Sequence, residues 1–103
     1  MATILVMYHT PADPKAFDDY YFGTHVDIAK KIPQLQRYSV NASPVTPFDG
    51  STSPYHLVAT LEFATIEDLG AGISSPEGQA AAGDLAHFAM AGATIYTFDT
   101  KDV

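Results

Sequence analysis

The run Phe17-Asp18-Asp19-Tyr20-Tyr21-Phe22-Gly23-Thr24-His25 carries the residues best equipped for chemistry. An imidazole with its ordinary pKa near ~6.5 takes and returns protons close to neutrality. A phenol one helical turn away can orient a carbonyl oxygen or stabilise an enolate. At about 100° per residue, Phe17, Tyr20, Tyr21, Thr24 and Ile28 fall on one helical stripe, with His25 at its border next to Tyr21. The spacing predicts a small-molecule site in which His25 is the general acid/base and Tyr21 its companion. Phe17, Tyr20 and Thr24 would meet the substrate. The competing reading is a structural histidine bonded to a backbone carbonyl, among aromatic residues that are simply core.

Other candidates lie further along. Tyr8 and His9 close an apolar run and stand where a strand opens into a cavity mouth. Neighbours on a strand point to opposite faces, so only one of the two can face the helices. His56, Thr60 and Glu62 share one strand face, read here as a side that meets water or another subunit. His87 is expected on a solvated part of the last helix. Asp84 is either a second acid or an exposed helix charge, and the exposed charge is the favoured reading. The four histidines form no H-x-x-x-H pair and have no carboxylate at metal-ligand spacing, so no metal site is expected. Gly70, Gly72, Gly78 and Gly83 make no G-x-G-x-x-G fingerprint, so no nucleotide cofactor is expected either.

Composition narrows the partners. The chain has 103 residues, enough for one domain with a small core, which a second copy would enlarge. Charged residues make up only 17%, below the roughly 25% of a typical globular domain, which points to an oligomer with a buried face. Twelve acids against five bases give a net charge of −7. Such a chain repels nucleic-acid phosphates and anionic membrane surfaces. The absence of cysteine excludes disulfides, thiolate nucleophiles and cysteine-ligated metals. The opening residues lack the basic flank and cleavage site of a signal peptide, and no apolar run approaches ~18 residues. A cytoplasmic protein is the expectation.

The elements that must position these residues follow from periodicity and punctuation. Thr3 to His9 is β-branched and apolar, a strand with both faces covered. Asp13-Pro14 supplies a cap and a first-turn proline for a helix running to about Lys31, stopped by Pro33. Gln36 to Ala42 is the second strand, and Ser43 to Pro54 is a surface loop rich in Pro, Ser and Thr. Tyr55 to Phe63 alternates clearly as the third strand. Thr65 opens another helix, expected to break near Gly70 and Gly72. Ser75-Pro76 restarts it, and Gln79 to Met90 continue it, with Ala81, Leu85 and Phe88 toward a core. Gly92 ends the helix and Ala93 to Phe98 is the last strand. The order is β-α-β-β-α-β, an α+β ferredoxin-like arrangement with an antiparallel sheet.

The stretch FDDYYFGTHVDIAKKIPQLQRYSVN resembles the signature region of the EthD family, and SPEGQAAAGDLAHFA resembles a second part of it. The resemblance covers nearly the whole chain. The family pattern often has proline where Asp27 stands and glycine where Gln34 stands. The first of these departures touches the turn after His25. The resemblance implies a dimeric α/β barrel, in which two ferredoxin-like sheets pack face to face. It also implies a histidine at the position of His25. The family is named for ethyl tert-butyl ether degradation, and some members are described as reductases or oxidoreductases. Relatives of the barrel include polyketide cyclases, lactone isomerases, cofactor-free monooxygenases and haem enzymes, so the resemblance speaks to fold more than to reaction. The expectation is a homodimer that binds a hydrophobic small molecule between helices and sheet and uses His25 as general acid/base. The alternatives are an accessory protein that holds a hydrophobic metabolite for a partner oxygenase, and an interaction module whose cavity is filled by side chains.

Overall fold

The computed structural model describes all 103 residues. Four strands, β1 (Ala2–His9), β2 (Leu35–Val40), β3 (Tyr55–Phe63) and β4 (Ala93–Asp99), form one antiparallel sheet in the order β2-β3-β1-β4. Helices α1 (Pro14–Tyr20) and α2 (Val26–Ala29) flank a short π-helical segment between β1 and β2. Helices α3 (Ile66–Ser74) and α4 (Pro76–Asp84) lie between β3 and β4. This is the ferredoxin-like arrangement that the order of elements predicts.

The helix starts are set by local chemistry. Asp13 accepts a hydrogen bond from the Ala16 amide at 3.1 Å, and Pro14 follows in the first turn, where its missing N–H costs nothing. Thr65 accepts from the Asp68 amide and Ser75 from the Gly78 amide, each at 3.0 Å. Gly70 and Gly72 do not break the second helical region, contrary to the sequence expectation; α3 runs through both. The break falls at Ser75, whose extended backbone ends α3 and caps α4. There, α4 approaches α3 so closely that a Cβ on Gly78 would lie 2.1 Å from the Gly72 carbonyl oxygen. Only glycine permits that contact. Regular α-helix also stops at Asp84 rather than Met90, tightening into a 3₁₀ turn over Leu85–His87.

One sheet face carries Ile4, Val6, Tyr8, Leu57, Ala59, Leu61 and Phe63, all buried against helices. The other face has no helix. Register places Leu5 beside Thr60 and Tyr96, Met7 beside Val58 and Thr94, and Thr3 beside Glu62 and Phe98. Leu5, Met7 and Val58 are half-buried there, while Tyr96 and Phe98 are exposed. In the single chain, then, β1 is covered by helices on one side only. No helix is long and apolar enough to cross a membrane.

Candidate active site

The helical passage that carries His25 is not uniform. At Tyr21 the α-helix opens into one π-helical turn, Tyr21–His25, before α2 resumes. The wider turn absorbs an extra residue and resets the buried stripe. Phe17, Tyr21, His25 and Ala29, spaced by four, are all buried, whereas Thr24 is exposed. A uniform 3.6-residue period brings Thr24 inward and leaves His25 at the border. The π turn reverses this and carries His25 to the centre of the face, where it is 5% exposed.

Asp84 also departs from expectation. It is not a solvated helix charge: its side chain is 7% exposed and points at the first helical region. Its Oδ2 accepts from His25 Nδ1 at 2.8 Å, and its Oδ1 accepts from the Tyr20 hydroxyl at 2.6 Å. Burial opposes ionisation of this carboxyl. The hydrogen bonds from Tyr20 and His25, with the nearby His25 and His87, outweigh burial and hold it below the usual carboxylate range. A carboxylate facing Nδ1 fixes the proton there, so in the neutral imidazole Nε2 carries the lone pair. The one hydrogen bond of His25 is made through Nδ1. No buried side-chain nitrogen or oxygen in the chain lacks a partner, so the unpartnered Nε2 keeps some exposure, and His25 itself lines an open space. Phe88 lies against the imidazole, ring centroids 4.7 Å apart, and also packs on Tyr8, Phe17, Tyr20 and Tyr21.

That space is a cavity of about 230 Å³ between helices and sheet. Its walls are mostly aliphatic. Apart from Thr97, its polar side chains are His25, Tyr8, Tyr21 and Tyr38. The Tyr21 and Tyr38 hydroxyls are 2.5 Å apart. Burial, followed by the neighbouring Tyr38, pushes the Tyr8 and Tyr21 phenols far above their ordinary value, and burial likewise raises Tyr38. All three are therefore hydrogen-bond donors at neutral pH. Ile95 on β4 lines the cavity and is 48% exposed, so the cavity meets solvent beside this edge strand.

The residues read from sequence now separate. Tyr8, Tyr21 and His25 line the cavity together. Tyr20 reaches it only through Asp84. Phe17 is packed among Tyr8, Tyr21, His56 and Phe88 and does not line the cavity. Thr24 faces solvent. His9 lies on the opposite sheet face, its Nε2 3.2 Å from Thr94 Oγ1, so of the pair ending β1 it is Tyr8 that faces the helices. His56 is the residue skipped where β3 slips register against β1. Its imidazole turns to Phe17 and bonds Asp18 at 2.8 Å, apart from Thr60 and Glu62. His87 is exposed, as expected. Sequence reasoning weighed Asp84 as a second acid but favoured an exposed charge, and it missed Tyr38. Asp84 was findable, because Ala81, Asp84, Leu85 and Phe88 keep the spacing of one helical face. Tyr38 had only its strand parity to mark it.

The EthD domain family matches residues 9–92. An uncharacterized 11.0 kDa protein from the thcB-thcC intergenic region of Rhodococcus erythropolis is 36% identical over 103 residues, covering 100% of this chain and 98% of that protein. An ethyl tert-butyl ether degradation family protein of Bacillus halodurans superposes with a TM-score of 0.88 at 27% identity, covering 98% of this chain and 99% of that one. More distant folds match as well. SnoaB, a cofactor-independent oxygenase of Streptomyces nogalater, matches with a TM-score of 0.66 at 13% identity over 99% of this chain and 94% of that one. A dimeric ferredoxin-like protein of unknown function from Jannaschia matches with a TM-score of 0.67 at 17% identity over 96% and 98%. The chain belongs to the EthD domain family, and its fold is that of the dimeric ferredoxin-like proteins and of antibiotic-biosynthesis monooxygenase relatives.

Proposed function

We propose that this protein is a small homodimeric enzyme that binds an apolar molecule in the cavity beside His25 and moves a proton on it. The observation that carries this reading is the His25–Asp84 pair. An imidazole buried in an apolar wall is of no use to packing unless its polar atoms are satisfied. Here Nδ1 is satisfied by Asp84, and Nε2 is left unpartnered on a residue that lines the cavity. A carboxylate that fixes the tautomer and supports the imidazolium is the arrangement a general base needs. Leu5, Met7, Val58, Tyr96 and Phe98 give the bare sheet face enough apolar surface to seat a second copy, and the match to a dimeric protein of this fold supports that assembly.

The test is proton exchange on a simple ketone. Cyclohexanone in deuterated buffer loses its α-protons to solvent when a base removes them, and proton NMR follows the loss. The protein should accelerate exchange above buffer alone. His25→Gln keeps a polar side chain but cannot cycle a proton near neutrality, and should lower the acceleration by roughly 10²–10⁴-fold. Equal exchange by both proteins would remove His25 from the chemistry.

A further inference from the structure

We propose that the hydroxyls of Tyr21 and Tyr38 form an oxyanion-binding pair, so that the substrate is an uncharged ketone, or its phenol-like enol, about one ring in size. This deepens the proposed function and rests on His25 being the base. Two mutually bonded hydroxyls carry two O–H groups and spend one on each other. The Tyr8 hydroxyl also interacts with that of Tyr21, so three hydroxyls share two contacts and one of their three O–H groups remains for a ligand. Tyr8 lines the same cavity and brings a third phenol near the pair. All three are held protonated, as donors must be, and they sit in apolar walls where a donor acts strongly on developing negative charge.

The same walls restrict the substrate. No lysine or arginine lines the cavity, and its one neighbouring carboxylate, Asp84, already holds His25 and Tyr20. A carboxylate or phosphate group would enter without a fixed countercharge. A cavity of about 230 Å³ lies below the roughly 300 Å³ at which pockets for drug-sized ligands begin, so anything larger than about one ring must extend past Ile95 into solvent. The reaction that fits is tautomerisation. His25 Nε2 takes a proton from the carbon next to the carbonyl. The C–H electron pair becomes the C=C bond of an enolate, and the carbonyl π pair moves onto oxygen, where the free phenolic O–H receives it. The imidazolium then returns the proton to carbon, at the same position or at a conjugated one, and the electrons flow back. Atoms and charge balance with no oxidant or co-reactant.

4-Nitrophenol is a probe for this site, because its phenolate resembles an enolate and has its own visible absorption band. At a pH below that at which it ionises in free solution, the wild-type protein should bind it with the phenolate band raised. Tyr21→Phe and Tyr38→Phe should each weaken binding by about 10-fold or more, the loss expected for a hydrogen bond to a charged group. Circular dichroism of each variant confirms that the fold is kept. Binding that is equally tight in both phenylalanine variants, with His25→Gln alone abolishing the phenolate band, would overturn the oxyanion pair and leave the base reading intact. No shift of the His25 ring resonances of the wild-type protein on adding 4-nitrophenol would overturn both.

Discussion

His25 and Asp84 are 59 residues apart in sequence and 2.8 Å apart in space, and neither side chain is more than 7% exposed. The pair joins the two helical regions across the aromatic cluster centred on Phe88. It has a structural and a chemical consequence, and one substitution probes both.

Asp84→Asn keeps the shape of the side chain and changes what it asks of its neighbours. Its amide nitrogen donates where a carboxylate oxygen accepts, so either Tyr20 or His25 loses its acceptor, or His25 changes tautomer. A changed tautomer puts the proton on Nε2 and removes the base. Turnover should fall by roughly 10²-fold or more, with a pH profile that no longer matches the wild type. Stability near neutrality should fall by about 1–3 kcal/mol.

The sign of the pH dependence follows from the lowered Asp84 carboxyl. Its stabilisation is present above the ordinary carboxylate pKa of about 3.9 and is lost as pH falls through the lower folded value. Denaturant unfolding of wild type and Asp84→Asn should therefore show a stability gap that is full above about pH 5 and closes on acidification. A gap that is constant down to pH ~2 would mean that the carboxylate charge contributes nothing.

Much of the frame was legible because it is local. Period-two alternation marked β3, and side-chain caps at Asp13, Thr65 and Ser75 marked the helix starts. The π turn was not legible. A residue type does not encode it, and nothing near Gly23 in sequence says that Tyr21 and His25 must both be buried. That requirement comes from rings supplied by β1 and by the end of the second helical region. The same holds for Asp84, whose burial makes sense only once a histidine and a tyrosine from a distant helix face it. Local pattern gave the elements; the site arises between them.

Gln34 records a conflict between sequence and backbone. Its φ is +68°, a left-handed conformation where the family pattern often has glycine. Its side chain is exposed and makes no hydrogen bond, so nothing offsets the cost of about 1–2 kcal/mol. Gln34→Gly removes that strain but adds freedom to the unfolded chain, worth roughly 0.5–1 kcal/mol. The net change should be stabilisation of up to about 1 kcal/mol, seen as a Tm rise of a few degrees by calorimetry. A lower Tm would show that the turn after Pro33 is not strained.

The two glycines of α4 should respond in opposite directions to alanine. At Gly78 a Cβ meets the Gly72 carbonyl oxygen at 2.1 Å and the Ile73 carbonyl oxygen at 2.7 Å, both backbone atoms that cannot swing aside. Gly78→Ala should separate α3 from α4 and cost more than about 2 kcal/mol. At Gly83 a Cβ meets nothing within 4 Å, and the residue is exposed and helical. Gly83→Ala should stabilise by roughly 0.5–1 kcal/mol through helix propensity alone. Urea unfolding of the two variants checks both signs.

The bare sheet face should be covered by a second copy in solution. Tyr96 and Phe98 are 56% and 42% exposed on strand β4, and Leu5, Met7 and Val58 continue the same apolar surface inward. Each chain presents the same face, so a two-fold pairing is self-complementary. A specific dimer should bury on the order of 1,200–2,000 Å² in total. Arg37 lies 3.8 Å from Glu62 near the edge of that face, where a charge pair can stay solvated at the rim. Tyr96→Lys places a cation against the apolar surface of the partner and should shift the assembly to monomer in sedimentation equilibrium at micromolar concentration. The variant keeps the helix-side cavity, so it also separates the two roles. If exchange of cyclohexanone protons persists in the monomer, the site is complete within one chain. Sedimentation of the wild type as monomer alone would remove the dimer from the proposed function.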